Sequence, residues 1–200
     1  MPRKYSMERR TASVDETRQR IVDATVALHN EKGVLATTMQ DIAARASVSL
    51  GTVYRHFPTI DDLIPACGGR NLELNPPPGS HAFDHLTSAE ERIAALVAAL
   101  YAHYERGERP YEIGFEAMGL PVMARMMTEL ADHLRDLVTE ALRPTHPDGG
   151  RLNLAVGLCD FRVWRSLTQA GLSTPNAAAY IGQLLREALA APALETKGGE

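Results

Sequence analysis

Cysteine is scarce: the 200 residues hold two, Cys67 and Cys159, far apart and without ligand-type spacing around either. A disulfide framework and a cysteine-based zinc module are therefore excluded, and the usage fits a reducing cytoplasm. Long apolar runs are missing too. The longest, residues 93–102, is about half of the roughly 20 residues that cross a bilayer, so it reads as a core helix and no membrane contact is expected. The first twenty residues are charged throughout and hold no apolar stretch ahead of a small-residue cleavage site, so no secretory signal is expected. There is no glycine-rich phosphate loop, nucleophile elbow or cysteine pair, and no catalytic residue or cofactor is expected.

The chain as a whole also lacks a strong excess of charge. With 21 Lys+Arg against 25 Asp+Glu, and 44% apolar residues, its composition is that of a globular protein, not of a disordered or collagen-like one. The balance is nevertheless uneven along the chain. Residues 1–57 hold 9 Lys+Arg and 6 Asp+Glu, whereas residues 58–200 hold 12 and 19. A basic front on an acidic body suggests that the N-terminal part meets a polyanion.

Turn residues punctuate helical patterns, and no series of alternating strands is present, so an all-α fold is expected. Ser13 and Glu16 make a capping-box pattern ahead of Ile21, Ala24, Thr25 and Leu28, with Gly33 as a stop. Thr38 with Asp41 starts a second, short helix carrying Ile42, Ala43 and Ala46. Ser49 caps a third, with Val53 and Phe57 on one face. Thr59 and Asp62 start a fourth, which Pro65, Gly68 and Gly69 are expected to kink or end early. Residues 75–80, NPPPGS, read as a stiff connector. Beyond it lie helical patterns over 88–106, 121–143, 151–170 and 175–190, and a shorter one around 111–118. The expected organisation is a flexible basic arm (1–12), a helical N-terminal domain (13–74), a linker (75–87), a larger helical domain (88–192) and a flexible tail (193–200).

Two short helices joined by a tight turn, the second with polar residues outward, are the arrangement that lays a helix in the DNA major groove. Residues 37–57, TTMQDIAARASVSLGTVYRHF, fit it. Ile42, Val48 and Val53 can form the seam and small Ala43 lets the helices approach. Ser49, Leu50, Thr52, Tyr54, Arg55 and His56 are then left near the outer surface, where hydroxyl, guanidinium and imidazole groups meet phosphates and base edges. Tyr54 filling the seam and His56 capping the helix end are the alternatives at those two positions. The segments TRQRIVDATVALHNEKG, TTMQDIAARASVSLGTVYRHF and PTIDDL resemble the N-terminal pattern of TetR-family transcriptional regulators. The resemblance implies a helix-turn-helix whose third helix reads DNA, with contacts from Thr38, Ser49, Thr52, Tyr54, Arg55 and His56. It further implies a homodimer and an effector-binding C-terminal domain. Two positions depart from the family pattern: Ser47 stands in the turn where glycine is frequent, and Ile60 where a lysine is frequent. The basic arm, Arg3, Lys4, Arg9 and Arg10, either reaches an adjacent groove or is a solvated tail.

In residues 151–170 the apolar side chains occupy more than one helical face, and residues 175–190 carry a broad apolar stripe, so these two helices are expected to form the dimer interface. Aromatic and thioether side chains accumulate between them and the preceding helices. Tyr104, Phe115, Met123, Met127, Phe161 and Trp164 are candidates to hold a small, largely apolar effector, with core packing as the competing explanation for each. His81, Asp84 and His85, in HAFDH, have spacing that could ligate zinc on a helix. Three prolines and a glycine precede them and no third ligand stands at a matching spacing, so no metal site is expected. The expectation is a ligand-responsive regulator, most naturally a repressor, on a near-palindromic operator. The competing class is a small helical ligand-binding or metal-dependent enzyme with a vestigial helix-turn-helix.

Overall fold

Helix α1 (Arg3–Lys32) begins well before Ser13, where the capping pattern pointed. The preceding residues contain neither glycine nor proline from position 3 onward, so nothing obliges the backbone to stop, and a capping residue in such a setting lies inside a helix. The expected flexible arm is thus helical in backbone from Arg3. The structure, a computed structural model, describes residues 3–191, with side chains from residue 12 onward. The side chains of Arg3, Lys4, Arg9 and Arg10, and the expected tail at 193–200, lie outside the described residues. Among those described there are ten α-helices and no strand.

Gly33 ends α1 with φ +80, a left-handed conformation suited to a residue without Cβ, and its N–H closes onto the His29 carbonyl at 2.8 Å. Helices α2 (Met39–Arg45), α3 (Leu50–His56) and α4 (Ile60–Leu74) follow. Helix α4 runs unbroken through Pro65, Gly68 and Gly69, contrary to the expected early end. Proline removes one intrahelical hydrogen bond near the helix start, while Leu63, Ile64 and Cys67 are buried on one face and hold the remainder in place. Ile21, Val22, Leu28, Ile42, Val53, Phe57 and Leu63 form the common core of these four helices.

The later helices are α5 (Ala89–Arg106), α6 (Glu108–Glu116), α7 (Pro121–Leu142), α8 (Gly149–Leu158), α9 (Phe161–Gln169) and α10 (Thr174–Ala190). The chain divides into two units, residues 1–74 with 112–127, and residues 75–111 with 128–200. The segment 112–127, expected in the C-terminal domain, therefore groups with the N-terminal helices. There Ile113, Ala117, Val122 and Met123 pack with Val34 and Ile64 in a second cluster.

In the other unit α10 lies along α5, and α8 and α9 pack on the same pair. The expected single helix over 151–170 is broken: Asp160 leaves the helical conformation and caps α9 by accepting from Arg162 N–H at 2.8 Å. Tyr101 and Tyr104 of α5 donate to the Leu158 and Cys159 carbonyls at 2.8 and 2.9 Å, which satisfies carbonyls that the break leaves without a helical partner. Buried Arg92 of α5 does the same at the end of α7, donating to the Glu140 and Ala141 carbonyls at 2.8 and 3.0 Å while its guanidinium lies over the Phe83 ring. Residues 80–82 form a single 3-10 turn, so His81 and His85 do not share a helical face.

Candidate nucleic-acid interface

Two short helices need outside help to hold their shape, and α2 and α3 get it from their caps and from a shared seam. Thr38 and Asp41 form a reciprocal capping box: Thr38 Oγ1 accepts from Asp41 N–H at 3.2 Å and donates to Asp41 Oδ2 at 2.7 Å, and Thr38 N–H donates to the same oxygen at 3.0 Å. Lys32 Nζ donates to Asp41 as well, at 2.7 Å; that bond and those from Thr38 hold the Asp41 carboxyl well below the usual carboxylate range. At α3, Ser49 Oγ accepts from Thr52 N–H at 3.1 Å and shares a hydrogen bond with Thr52 Oγ1 at 2.9 Å. The turn between the helices passes through Ser47 at φ +54, the left-handed conformation that its place in the motif demands. Ile42 and Val53 are wholly buried and Ala43 and Ala46 nearly so, which fixes the two helices against each other and against α1.

With Val53 inward, the opposite side of α3 faces out. Tyr54 is 47% exposed, which settles it outside the seam. Ser49 and Arg55 are exposed, and Thr52 and His56 half-buried. Thr38 is exposed at the start of α2, but its hydroxyl hydrogen is already given to Asp41. Burial and the guanidinium groups of Arg55 and Arg18 lower the His56 pKa below its ordinary value. The Arg18 guanidinium lies 4.8 Å above the Phe57 ring. Arg45, by contrast, is engaged with Glu31 at 2.6 Å. Arg18, Arg55 and His56 thus gather beside the outer face of α3, drawn from two helices far apart in sequence. Arg18 was not among the sequence candidates. Its signal was its place one turn before buried Ile21 and Val22, at the rim of the inward face of α1. The arrangement offers a donor-rich, positively charged edge, without the nucleophile-base geometry of a catalytic site.

The six effector candidates fall in different units. Tyr104, Phe161 and Trp164 are buried together in residues 75–111 and 128–200, with Tyr111 stacked on Phe161 at 4.8 Å between ring centroids. Their polar ends are engaged internally: Tyr111 Oη with His103 Nε2 at 3.1 Å, and Trp164 Nε1 donating to Thr174 Oγ1 at 3.2 Å. Met123 and Met127 belong to the cluster of the other unit, and half-buried Phe115 lies in that unit too.

Residues 21–67 match the family model described as bacterial regulatory proteins, tetR family. The transcriptional repressor KstR of Rhodococcus jostii is 28% identical over 182 residues, 85% of this chain and 79% of that protein. KstR of Mycolicibacterium smegmatis is 43% identical over 58 residues, a match that spans only 28% of its length. Among solved structures, a TetR-like transcriptional regulator from Rhodococcus has a TM-score of 0.68 at 20% identity, covering 87% of this chain and 96% of that one. The multidrug binding protein EbrR, complexed with imidazole, has a TM-score of 0.61 at 23% identity, covering 97% and 96%. These last two likenesses speak for the fold. Taken with the capped α2–α3 pair and its outward polar face, the matches mark residues 21–67 as a DNA-binding domain of the kind found in the tetR family of bacterial regulatory proteins, and they support a TetR-family transcriptional regulator over an enzyme.

Proposed function

We propose that the protein is an effector-responsive repressor that binds a near-palindromic operator as a homodimer. The observation that carries the DNA side of this reading is the outward face of α3: Tyr54 and Arg55 are exposed beside Arg18 and His56, while Val53 opposite them is wholly buried. Thr52 and Tyr54 are suited to base edges, and Arg55, Arg18 and Ser49 to phosphates. Thr38 acts first as the cap that holds α2, its hydroxyl being committed to Asp41.

The dimer is proposed to form through α8 and α10. Leu154 is 45% exposed, Tyr180 60% and Leu184 50%, whereas Ala177, Ile181 and Leu185 of α10 face inward. The apolar surface of α10 therefore serves two sides, and a second copy is the partner that a two-fold symmetric operator requires. Two recognition helices roughly 34–36 Å apart would then enter successive major grooves on one DNA face. A small, largely apolar effector is proposed to act through the aromatic groups around Tyr104, Phe161 and Trp164, all within one unit. Regulation follows only where the effector binds two conformations unequally.

Selection of duplexes from a random-sequence library by the purified protein tests the reading. The expected product is a twofold-symmetric site whose affinity falls steeply as salt rises, because phosphate contacts release counterions. Arg55→Ala should weaken binding with the fold intact. Tyr180→Glu combined with Leu184→Glu should give a monomer in sedimentation that loses high-affinity binding. Absence of any preferred duplex at low salt would refute the reading.

A further inference from the structure

Helix α4 carries two adjacent glycines with opposite surroundings. A Cβ added at Gly69 would meet nothing within 4 Å, whereas a Cβ at Gly68 would lie 2.0 Å from Met126 Cε. The terminal methyl of Met126 therefore occupies the notch that the missing side chain leaves on α4. The next residue of α7 does the same to α6: a Cβ on Gly114 would lie 2.5 Å from Met127 Sδ. Consecutive helical residues project about 100° apart, so the start of α7 is seated on two helices at once. Neither glycine has a positive φ, so the absence of a side chain serves the contact and not the backbone.

The two seats border the cluster of Val34, Ile64, Ile113, Ala117, Val122 and Met123. Elsewhere α4 is tied to α1, with Arg70 Nε donating to Asp23 at 2.8 Å and with Leu63 and Cys67 in the core of α1–α3. Any shift of α4 along α7 must thus pass Met126. Methionine is unbranched and leaves such a notch by rotation about its own bonds, so the seat can be emptied without unfolding anything.

We propose that Met126 over Gly68, steadied by Met127 over Gly114, is the positioning contact that holds α4, and through it α1–α3, in the operator-binding arrangement. The inference rests on the operator reading above. A seat that favours one of two arrangements biases their populations, and emptying it removes the bias.

The test is operator affinity, measured by fluorescence anisotropy on a duplex selected by the wild-type protein, for Gly68→Ala, Gly69→Ala and the double variant Gly68→Ala with Met126→Ala. Gly68→Ala should bind about tenfold more weakly. Gly69→Ala, which makes the same gain in helix propensity in open space, should bind as the wild type does. The double variant, in which the seat is empty as well, should be about as weak as Gly68→Ala alone, because the two changes remove one and the same contact. A folded Gly68→Ala protein with wild-type affinity, or a double variant that recovers wild-type affinity, would overturn the proposal. Should circular dichroism show Gly68→Ala unfolded, Met126→Phe replaces it by overfilling the notch from the other side: the same loss is expected, and wild-type affinity overturns the proposal. A wild-type protein that selects no duplex overturns the operator reading and this inference together, whereas a binding wild type beside an indifferent Gly68→Ala overturns the inference alone.

Discussion

At the scale of single residues, the free protein has already committed several of the groups that face outward from the helix-turn-helix. Thr38 cannot give its hydroxyl hydrogen to a phosphate without releasing Asp41, and Ser49 and Thr52 share one hydrogen bond, which leaves one hydroxyl hydrogen of the pair available. His56 differs because its charge is adjustable. Burial and the two neighbouring guanidinium groups disfavour its protonated form, and a phosphate brought close favours it. Binding then takes up a proton, so operator affinity should rise as pH falls from about 8 to about 6. Anisotropy titrations across that range should show the slope in the wild type and a flatter profile in His56→Gln, and equal slopes would remove His56 from the interface. The inward set Ile42 and Val53 was legible from spacing alone, because it follows from a local rule, whereas the turn position of Ser47 was marked by the family resemblance. Arg18 was not, since its partner Phe57 lies far along the chain and only tertiary packing joins them.

At the scale of elements, the start of α1, the length of α4 and the break between α8 and α9 escaped the sequence for related reasons. A capping residue marks a helix start only where the preceding chain cannot continue the helix, and Ser13 follows residues that can. Proline near the start of α4 is tolerated because burial of Leu63, Ile64 and Cys67 outweighs one lost hydrogen bond. The α8–α9 break is set by Tyr101 and Tyr104, which stand more than fifty residues earlier and take up the carbonyls that a continuous helix would have used. Asp160 is the local half of that device. Asp160→Ala should cost about 1 kcal/mol, seen as a fall of roughly 2–4 °C in the melting temperature, and Asp160→Asn should retain most of the stability. An unchanged melting temperature in Asp160→Ala would show that the tyrosines hold the break without the cap.

At the scale of the whole molecule, the all-helical class and the N-terminal helix-turn-helix were readable because their signals are short and repeated. The grouping of residues 112–127 with the N-terminal helices was not, since it rests on the packing of Ile113, Ala117, Val122 and Met123 with Val34 and Ile64 and on the Gly68 notch that receives Met126. The separation of Tyr104, Phe161 and Trp164 from Phe115, Met123 and Met127 has the same origin: composition counts aromatic and thioether side chains without saying which core each one joins. What unites the account is the claim that the outer side of α3 reads base pairs in two symmetric half-sites. The most direct measurement is the base preference of Thr52→Ala and Tyr54→Ala beside the wild type, each determined by selection from one random duplex library. The account predicts a wild-type consensus with two related half-sites and, in each variant, relaxed preference at the same one or two positions of both halves. Variants that return the wild-type consensus with undiminished discrimination at every position would contradict it.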